Sequence, residues 1–318
     1  MNEHMTIQCD CPQCGRVCGF KSQFAGRIAR CLTCDARFVI PSESGQPAHL
    51  CKPQPAPALP GFYANAMKGS IKAFFHRDSC TGLIFCAALV IFHFFLGNED
   101  MSFTLPGFRP PLLIGWTVTL ITFGGFSWYC LQVILDTQMG SDSLPSVDMG
   151  SGFEFIWNVI KSCYLFLISL LLALLPASLI SAGFESFGID IGAFFYVLVG
   201  ICLLLWPINL AILALGVPWW RIFRYDLLIK AIVKTFWPYM FTTLFTLIAF
   251  YVVFLGMALF APQDDANMRI VAGALALRLG GAVLFLFAMR IIGTYCLHYS
   301  DVCPDLWAED SAWQPGLD

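Results

Sequence analysis

Six long apolar stretches, which follow one another from residue 80 onward, restrict the fold of this chain more than any other feature. Each approaches or exceeds the roughly 17 to 25 residues that a helix needs to cross the hydrocarbon core of a bilayer. The chain of 318 residues is 58% hydrophobic and 12% charged, so it has too few polar residues to cover such stretches in a water-soluble domain. We therefore predict an all-α integral membrane protein with about six transmembrane helices, at 80–97, 111–135, 155–182, 189–217, 232–261 and 270–295.

The lysine and arginine residues predict the orientation of these helices. If the N-terminus is cytoplasmic, the exterior turns contain only Arg109 and Arg269. Because cytoplasmic loops are enriched in Lys and Arg, we expect both termini to be cytoplasmic and the spans to lie in the inner membrane. No apolar segment follows Met1, so the first span is expected to direct insertion. The basic residues assigned to the interior side are Lys68, Lys72, Arg77, Lys161, Arg221, Arg224, Lys230, Lys234 and Arg290.

Shorter segments complete the predicted domain organisation. The membrane domain covers 62–300, a Pro-rich linker precedes it at 42–61, and an acidic tail follows at 301–318. Residues 62–77 are predicted to form an interfacial helix on anionic headgroups, and an ordinary basic flank before the first span is the alternative. Similar polar-flanked segments at 153–161 and 219–234 also precede pairs of spans, which suggests a threefold repeat. The apolar side of the interfacial helix is predicted to hold Phe62, Ala66, Met67, Ile71, Phe74 and Phe75.

Two Cys-x-x-Cys pairs near the N-terminus are the strongest chemical signal in the sequence. Cys11 and Cys14 form the first pair, and Cys31 and Cys34 form the second. Two such pairs separated by a short hairpin close a tetrahedron of four thiolates around Zn²⁺. Gly15 follows the first pair, where the turn of a metal knuckle favours a positive φ. We predict a β-type zinc ribbon over 1–41.

Alternative roles for the N-terminal cysteines remain open. Cys9 and Cys18 lie close enough to the first pair to enter a different ligand set. A redox Cys-x-x-Cys is the other alternative, but redox motifs occur singly and at the start of a helix, so the duplicated pair favours metal.

The N-terminal segment also resembles a known module. The runs Cys-Pro-Gln-Cys-Gly, Phe-Ala-Gly-Arg and Phe-Val-Ile-Pro, together with the second cysteine pair, are similar to a four-cysteine zinc ribbon found at the N-termini of many bacterial membrane and signalling proteins. The chain departs from that pattern at Leu32, where Pro is expected, and at Asp35, where Gly is expected. The resemblance implies an accessory zinc-binding module with no assigned chemistry of its own.

A second resemblance concerns the membrane domain. The segment 128–176, which includes a Ser-Asp-Ser-Leu-Pro loop, and the segment 290–299 (Arg-Ile-Ile-Gly-Thr-Tyr-Cys-Leu-His-Tyr) are similar to an uncharacterised bacterial multi-pass domain. This likeness implies a membrane protein and supplies no mechanism.

Three polar residues inside the predicted spans are candidates for an intramembrane site. They are Arg278, His93 and Asn209. An Arg near the centre of a bilayer costs at least about 2.5 to 3.5 kcal/mol, so such a residue needs a compensating role. Arg278 is expected either to extend towards the interface or to pair with Glu185 or Asp190.

The sequence favours a binding or assembly role over catalysis. It contains no hydrolase, metalloprotease, nucleotide-binding or intramembrane aspartyl motif. A net charge of −3 and the absence of a basic arm give no support to nucleic-acid binding. The leading hypothesis is a non-enzymatic scaffold or regulator that sits in the lipid bilayer and recruits a protein through its ribbon. The alternative is a small-solute or lipid transporter.

Overall fold

A computed structural model describes residues 6–12, 14–21, 28–30, 33, 37–41, 49–50, 57–97, 114–147, 152–187, 192–258 and 268–307. The chain divides into two compact units. One consists of Met1–Ala56 with Ala308–Asp318, and the other is Pro57–Trp307.

The described part of the first unit consists of short antiparallel strands. Strands β1 (Thr6–Asp10) and β2 (Val17–Lys21) form a hairpin. Alternation along β1 buries Ile7, Cys9 and, just beyond the strand, Cys11. A second sheet has the order β3-β4-β5, with β3 at Ile28–Arg30, β4 at Arg37–Val39 and β5 at His49–Leu50.

The second unit is helical in its described residues. The α-helices differ widely in length, from a single turn to more than eight turns. In chain order they are α1 (Phe62–Ala64), α2 (Ser70–Phe74), α3 (Cys80–Leu96), α4 (Ile114–Gln138), α5 (Gly152–Ser186), α6 (Gly192–Leu203), α7 (Trp206–Ala214), α8 (Tyr225–Lys234), α9 (Phe236–Ala258), α10 (Met268–Tyr299) and α11 (Pro304–Trp307).

Among the described residues of this unit, six helical segments are long and apolar enough to cross a membrane, which confirms that prediction. Each overlaps one of the predicted stretches. Their bounds are Arg77–Leu96, Thr117–Gln138, Gly152–Ser186, Phe194–Ala214, Phe236–Met257 and Met268–Val302.

The fourth segment is interrupted, in contrast to the continuous span predicted over 189–217. Helix α6 ends at Leu203 and α7 begins at Trp206, with Pro207 in its first turn. Proline has no N–H and its ring clashes with the carbonyl four residues earlier, which favours a kink or a break at this point. The hydroxyl of Tyr239 donates to the Leu204 carbonyl at the break. A membrane helix tolerates such a break where neighbouring side chains satisfy the exposed backbone.

The segment predicted as an interfacial helix has a different division of faces. Between α1 and α2 the residues Asn65–Gly69 form a π-helical turn, which changes the angular spacing of the side chains. Phe62 and Ala66 are buried, whereas Ile71 and Phe75 are exposed, so residues predicted to share one apolar side do not share an environment.

Helix α10 occupies the centre of the bundle, where it packs against α3, α4 and α9. Its approach to α4 depends on Gly293. A Cβ atom at this position would lie 2.6 Å from the Thr137 Cβ and 2.7 Å from the Ile134 carbonyl oxygen. Small residues allow membrane helices to approach closely and gain dispersion contacts.

Two polar attachments hold neighbouring segments at the end of the bundle where α10 finishes. Arg290 donates to the carbonyl oxygens of Ser143 (2.9 Å) and Ser141 (2.8 Å), which fixes the loop after α4. His298 Nδ1 lies 2.9 Å from the Leu59 carbonyl oxygen, and the Leu59 N–H donates to the His298 carbonyl at 3.2 Å. The Asn65 amide nitrogen lies 3.1 Å from His298 Nε2, a contact that requires the imidazole proton on Nδ1. The segment that leads into α1 is therefore fixed to the last span.

Candidate functional sites

The first cysteine pair lies on a hydrogen-bonded turn. The Cys11 N–H donates to the Arg16 carbonyl, and the Gly15 N–H donates to the Cys11 carbonyl, both at 2.9 Å. Gly15 has a φ of 69°, which confirms the left-handed conformation expected from the sequence. Cys11 is buried and Cys14 is exposed.

The second cysteine pair, Cys31 and Cys34, lies outside the described residues. Thr33 between them is described, and its hydroxyl accepts a hydrogen bond from the Arg16 guanidinium at 2.6 Å. This contact places Thr33, which lies between the two cysteines of the second pair, close to Arg16, which follows the turn of the first pair. Within the described residues, no group of three or more His, Cys, Asp or Glu side chains is arranged to hold a metal ion.

Cys9 and Cys18 keep the alternative ligand sets open. They face each other across the β1-β2 hairpin, and strand alternation puts Cys9 on the same face as Cys11. Burial raises the pKa of the Cys9 thiol, and the neighbouring Asp10 and Cys11 raise it further.

The second candidate site is a cavity of about 180 Å³ inside the helical unit. Side chains from α3, α4, α5, α9 and α10 surround it. Most of them are apolar, with polar groups at a few points. The lining residues are Leu89, Val90, His93, Thr119, Thr122, Phe123, Phe126, Ser127, Phe166, Phe250, Val253, Met257, Arg278, Ala282 and Phe285.

Arg278 contributes the charged group of the cavity. Its Nε donates to the Gly256 carbonyl at 3.0 Å, and its guanidinium carbon lies 4.9 Å from the centroid of the Phe94 ring. Gly256 is in the last turn of α9, where carbonyl groups lack partners within the helix, so Arg278 caps that helix. The sequence suggested that Arg278 extends towards the interface or pairs with Glu185 or Asp190. Glu185 is exposed and accepts a hydrogen bond from Ser181 on its own helix, and Asp190 lies outside the described residues.

His93 lies at the same end of the cavity as Arg278, where α3 and α9 finish and α4 and α10 begin. Its Nε2 is 3.4 Å from the Thr119 hydroxyl, which itself donates to the Gly115 carbonyl at 2.7 Å. Because the hydroxyl proton is used in that bond, the longer contact requires the imidazole proton on Nε2. This end of the cavity therefore combines the Arg278 guanidinium with the His93 imidazole, whose Nε2 proton is used in the contact with Thr119.

Ser127 places a polar group at the opposite end of the cavity from Arg278 and His93. The residue is 1% exposed, and among the described residues its hydroxyl has no hydrogen-bond partner. A serine in a helix ordinarily bonds a carbonyl three or four residues earlier, as Thr122 does with Val118 at 2.7 Å. The Ser127 hydroxyl therefore adds a polar point to the mostly apolar wall of the cavity.

The structure brings together two of the three polar residues singled out in the spans. His93 and Arg278 share the cavity, whereas Asn209 lies in α7, is 1% exposed and does not line the cavity. Sequence reasoning missed Thr119 and Ser127, because hydroxyl residues are common in membrane helices and spacing does not reveal which of them face a cavity.

Comparison with known proteins does not assign a function to either site. No protein family, no curated protein and no solved structure matches the chain. Chemically, the cavity can bind a small apolar molecule that carries a polar group, and the cysteine hairpin can contribute thiolates to a metal site.

Proposed function

We propose that the helical unit is a membrane-embedded binding protein for a small amphiphile, and that it acts as a lipid or small-solute transporter. The cavity between α3, α4, α9 and α10 carries this proposal. It joins apolar walls to a polar end, which is the arrangement that orients an amphiphilic ligand. From the sequence, the transporter was the second of two hypotheses. The presence of both His93 and Arg278 in one cavity supports it, and their positions in the sequence did not reveal this proximity.

The volume of the cavity limits the size of the ligand. Sites for drug-sized molecules have volumes of about 300 to 1,000 Å³, and an engineered cavity of about 150 Å³ accepts benzene. A cavity of about 180 Å³ thus suits a short single chain or one ring. A two-chain phospholipid would not fit inside it.

Filling the cavity tests this function. Ala282 lines the cavity, and its neighbour Val283 is 47% exposed on the outside of α10. With purified full-length protein in uncharged maltoside detergent, we expect 1-octanol to raise the Tm of the wild type and of Val283→Phe, because a ligand that binds only the folded state stabilises it. Ala282→Phe should abolish the rise. An equal rise in Ala282→Phe would contradict binding in the cavity.

We further propose that the N-terminal unit is a zinc ribbon through which the protein recruits an unidentified protein partner. The hydrogen-bonded turn at Cys11 and Gly15 supports this proposal, together with the contact between Arg16 and Thr33. Zinc held by Cys11, Cys14, Cys31 and Cys34 would supply most of the folding free energy of so small a unit. As the alternative to transport, we propose that the ribbon is cytoplasmic and that the protein, located in the inner membrane with both termini inside, is a non-enzymatic scaffold or regulator.

Metal content tests the ribbon. Purified full-length protein should contain about one zinc ion per chain by elemental analysis, and Cys11→Ser should lose it because three thiolates bind zinc less tightly than four. Cys80→Ser is the matched control, since Cys80 is an exposed thiol outside the ribbon. Cys18→Ser separates the alternative ligand sets: full zinc content is expected, and loss of zinc would bring Cys18 into the site. A wild type without zinc would exclude the ribbon.

A further inference from the structure

We infer that the ligand of the cavity carries an uncharged hydroxyl group at the end that lies farthest from Arg278 and His93, and that Ser127 bonds this group. The inference rests on the proposed binding function and adds the chemical class of the ligand, which is an alcohol or a phenol of about the size of one ring. It holds whichever group the ligand presents to Arg278.

Ser127 is a buried polar residue of the cavity wall whose hydroxyl lacks a partner. The residue is 1% exposed, and among the described residues no atom forms a hydrogen bond with its Oγ. Because the described residues already enclose the side chain, an occupant of the cavity is the partner that can reach it. A buried hydroxyl without a partner is unfavourable, and a ligand that supplies one gains this free energy on binding.

The position of Ser127 separates it from the polar groups at the other end of the cavity. Thr119, whose hydroxyl contacts His93, precedes Ser127 by eight residues in α4, a distance of about 12 Å along the helix axis. Ser127 also lies near the midpoint of the membrane-spanning segment Thr117–Gln138. An acyl chain that entered the cavity at this depth would leave the Ser127 hydroxyl unpaired, because it contains no group that forms a hydrogen bond.

Aromatic rings line the cavity near Ser127 and disfavour water as its partner. Phe123, one turn before Ser127 in α4, packs edge to face against Phe166 with ring centroids 5.8 Å apart, and Phe166 lies 5.9 Å from Phe285. All three rings line the cavity. A buried water ordinarily makes about three hydrogen bonds, and these rings accept or donate none of them. A ligand whose apolar part packs among the rings needs only one hydrogen bond, at Ser127.

The group that Ser127 bonds is expected to be uncharged. Among the described residues that line the cavity, the ionisable ones, His93 and Arg278, are at the opposite end. An ionised group beside Ser127 would therefore lose its hydration without a countercharge nearby, which is costly. A hydroxyl avoids this cost, and it can either donate to the Ser127 hydroxyl or accept from it.

The test compares phenol with toluene, two rings of nearly equal size that differ in a hydroxyl and a methyl group. Each is titrated calorimetrically into the full-length protein in uncharged maltoside detergent. The readout is the ratio of the association constant of phenol to that of toluene, because partition into the micelle affects wild type and variants alike. We expect this ratio to be about tenfold lower in Ser127→Ala than in the wild type, since alanine leaves the phenol hydroxyl unpaired. An unchanged ratio would overturn the inference.

A second serine provides the matched control. Ser162 in α5 is buried as well, but it is not among the residues that line the cavity. Ser162→Ala should therefore keep the wild-type ratio of phenol to toluene binding. An equal fall of the ratio in both variants would contradict the assignment of the contact to Ser127.

The stability of the ligand-free protein tests the premise separately. Ser127→Ala should have a Tm equal to or above that of the wild type, because the substitution removes a buried hydroxyl that has no partner. A clearly lower Tm would mean that protein or water already satisfies the hydroxyl, and this result would also overturn the inference.

The outcomes also separate the inference from the function on which it rests. If Ala282→Phe abolishes the binding of both rings while Ser127→Ala leaves their ratio unchanged, the cavity binds small apolar molecules without a hydroxyl contact, and only the inference fails. If Ala282→Phe weakens the binding of neither ring, the proposed function fails as well.

Discussion

At the scale of single residues, the two arginines in the interior of α10 perform a similar task. Arg278 donates through Nε to a carbonyl in the last turn of α9, and Arg290 donates to two carbonyls in the loop after α4. Backbone carbonyls at helix ends and in loops lack partners of their own. An arginine can bond such carbonyls without help from an acidic residue. Looking for a carboxylate in the sequence therefore did not reveal the hydrogen bond from Arg278 Nε to the Gly256 carbonyl.

The contacts of Arg290 lead to a prediction about stability. Hydrogen bonds to a charged group contribute about 1.5 to 3 kcal/mol. Arg290→Gln should therefore lower the free energy of unfolding, measured by titration with SDS, by about 2 kcal/mol. The control is Arg224→Gln, which removes an exposed arginine that pairs with Asp226 at 3.1 Å. This variant should have a much smaller effect, because exposed ion pairs are weak. Equal losses of unfolding free energy in the two variants would contradict the stabilising role of the Arg290 hydrogen bonds.

At the scale of elements, the long apolar runs were sufficient to predict where helices of membrane length occur. They were not sufficient to predict the break between α6 and α7, because the segment that contains the break, Phe194–Ala214, has a mean hydropathy as high as that of an unbroken helix. The π-helical turn at Asn65–Gly69 was missed for a related reason, because the hydrophobicity of side chains does not indicate how many residues a helical turn contains.

The contact between α4 and α10 leads to a second prediction about stability. Gly293→Ala places a methyl group within 3 Å of Thr137 and Ile134, which must move apart. Overpacking of this kind costs about 1 to 3 kcal/mol, and we expect a loss in that range in the SDS titration. Gly280→Ala in the same helix meets no atom within 4 Å and should be neutral or slightly stabilising. A Gly293→Ala variant as stable as Gly280→Ala would contradict the close packing.

At the scale of the whole molecule, the two candidate sites differ in how far the sequence could reveal them. The cysteine pairs are local, so their spacing alone pointed to a metal knuckle, and Gly15 has the positive φ that the sequence led us to expect. The cavity depends on how five helices are rotated about their own axes. Hydropathy contains little information on this rotation, because residues that face lipid and residues that face the bundle are both apolar. Arg278 and His93 were therefore recognised singly, and their proximity was not predicted.

Three of the polar attachments of α10 limit how the bundle is able to move. This helix holds the end of α9 through Arg278, the loop after α4 through Arg290 and the segment before α1 through His298. A sliding motion of α10 along its axis would have to break all three attachments, whereas a tilt that carries these segments with it would break none. Any conformational cycle that opens the cavity is thus expected to be a rigid-body rocking of α10 together with its attached segments, against the remaining helices.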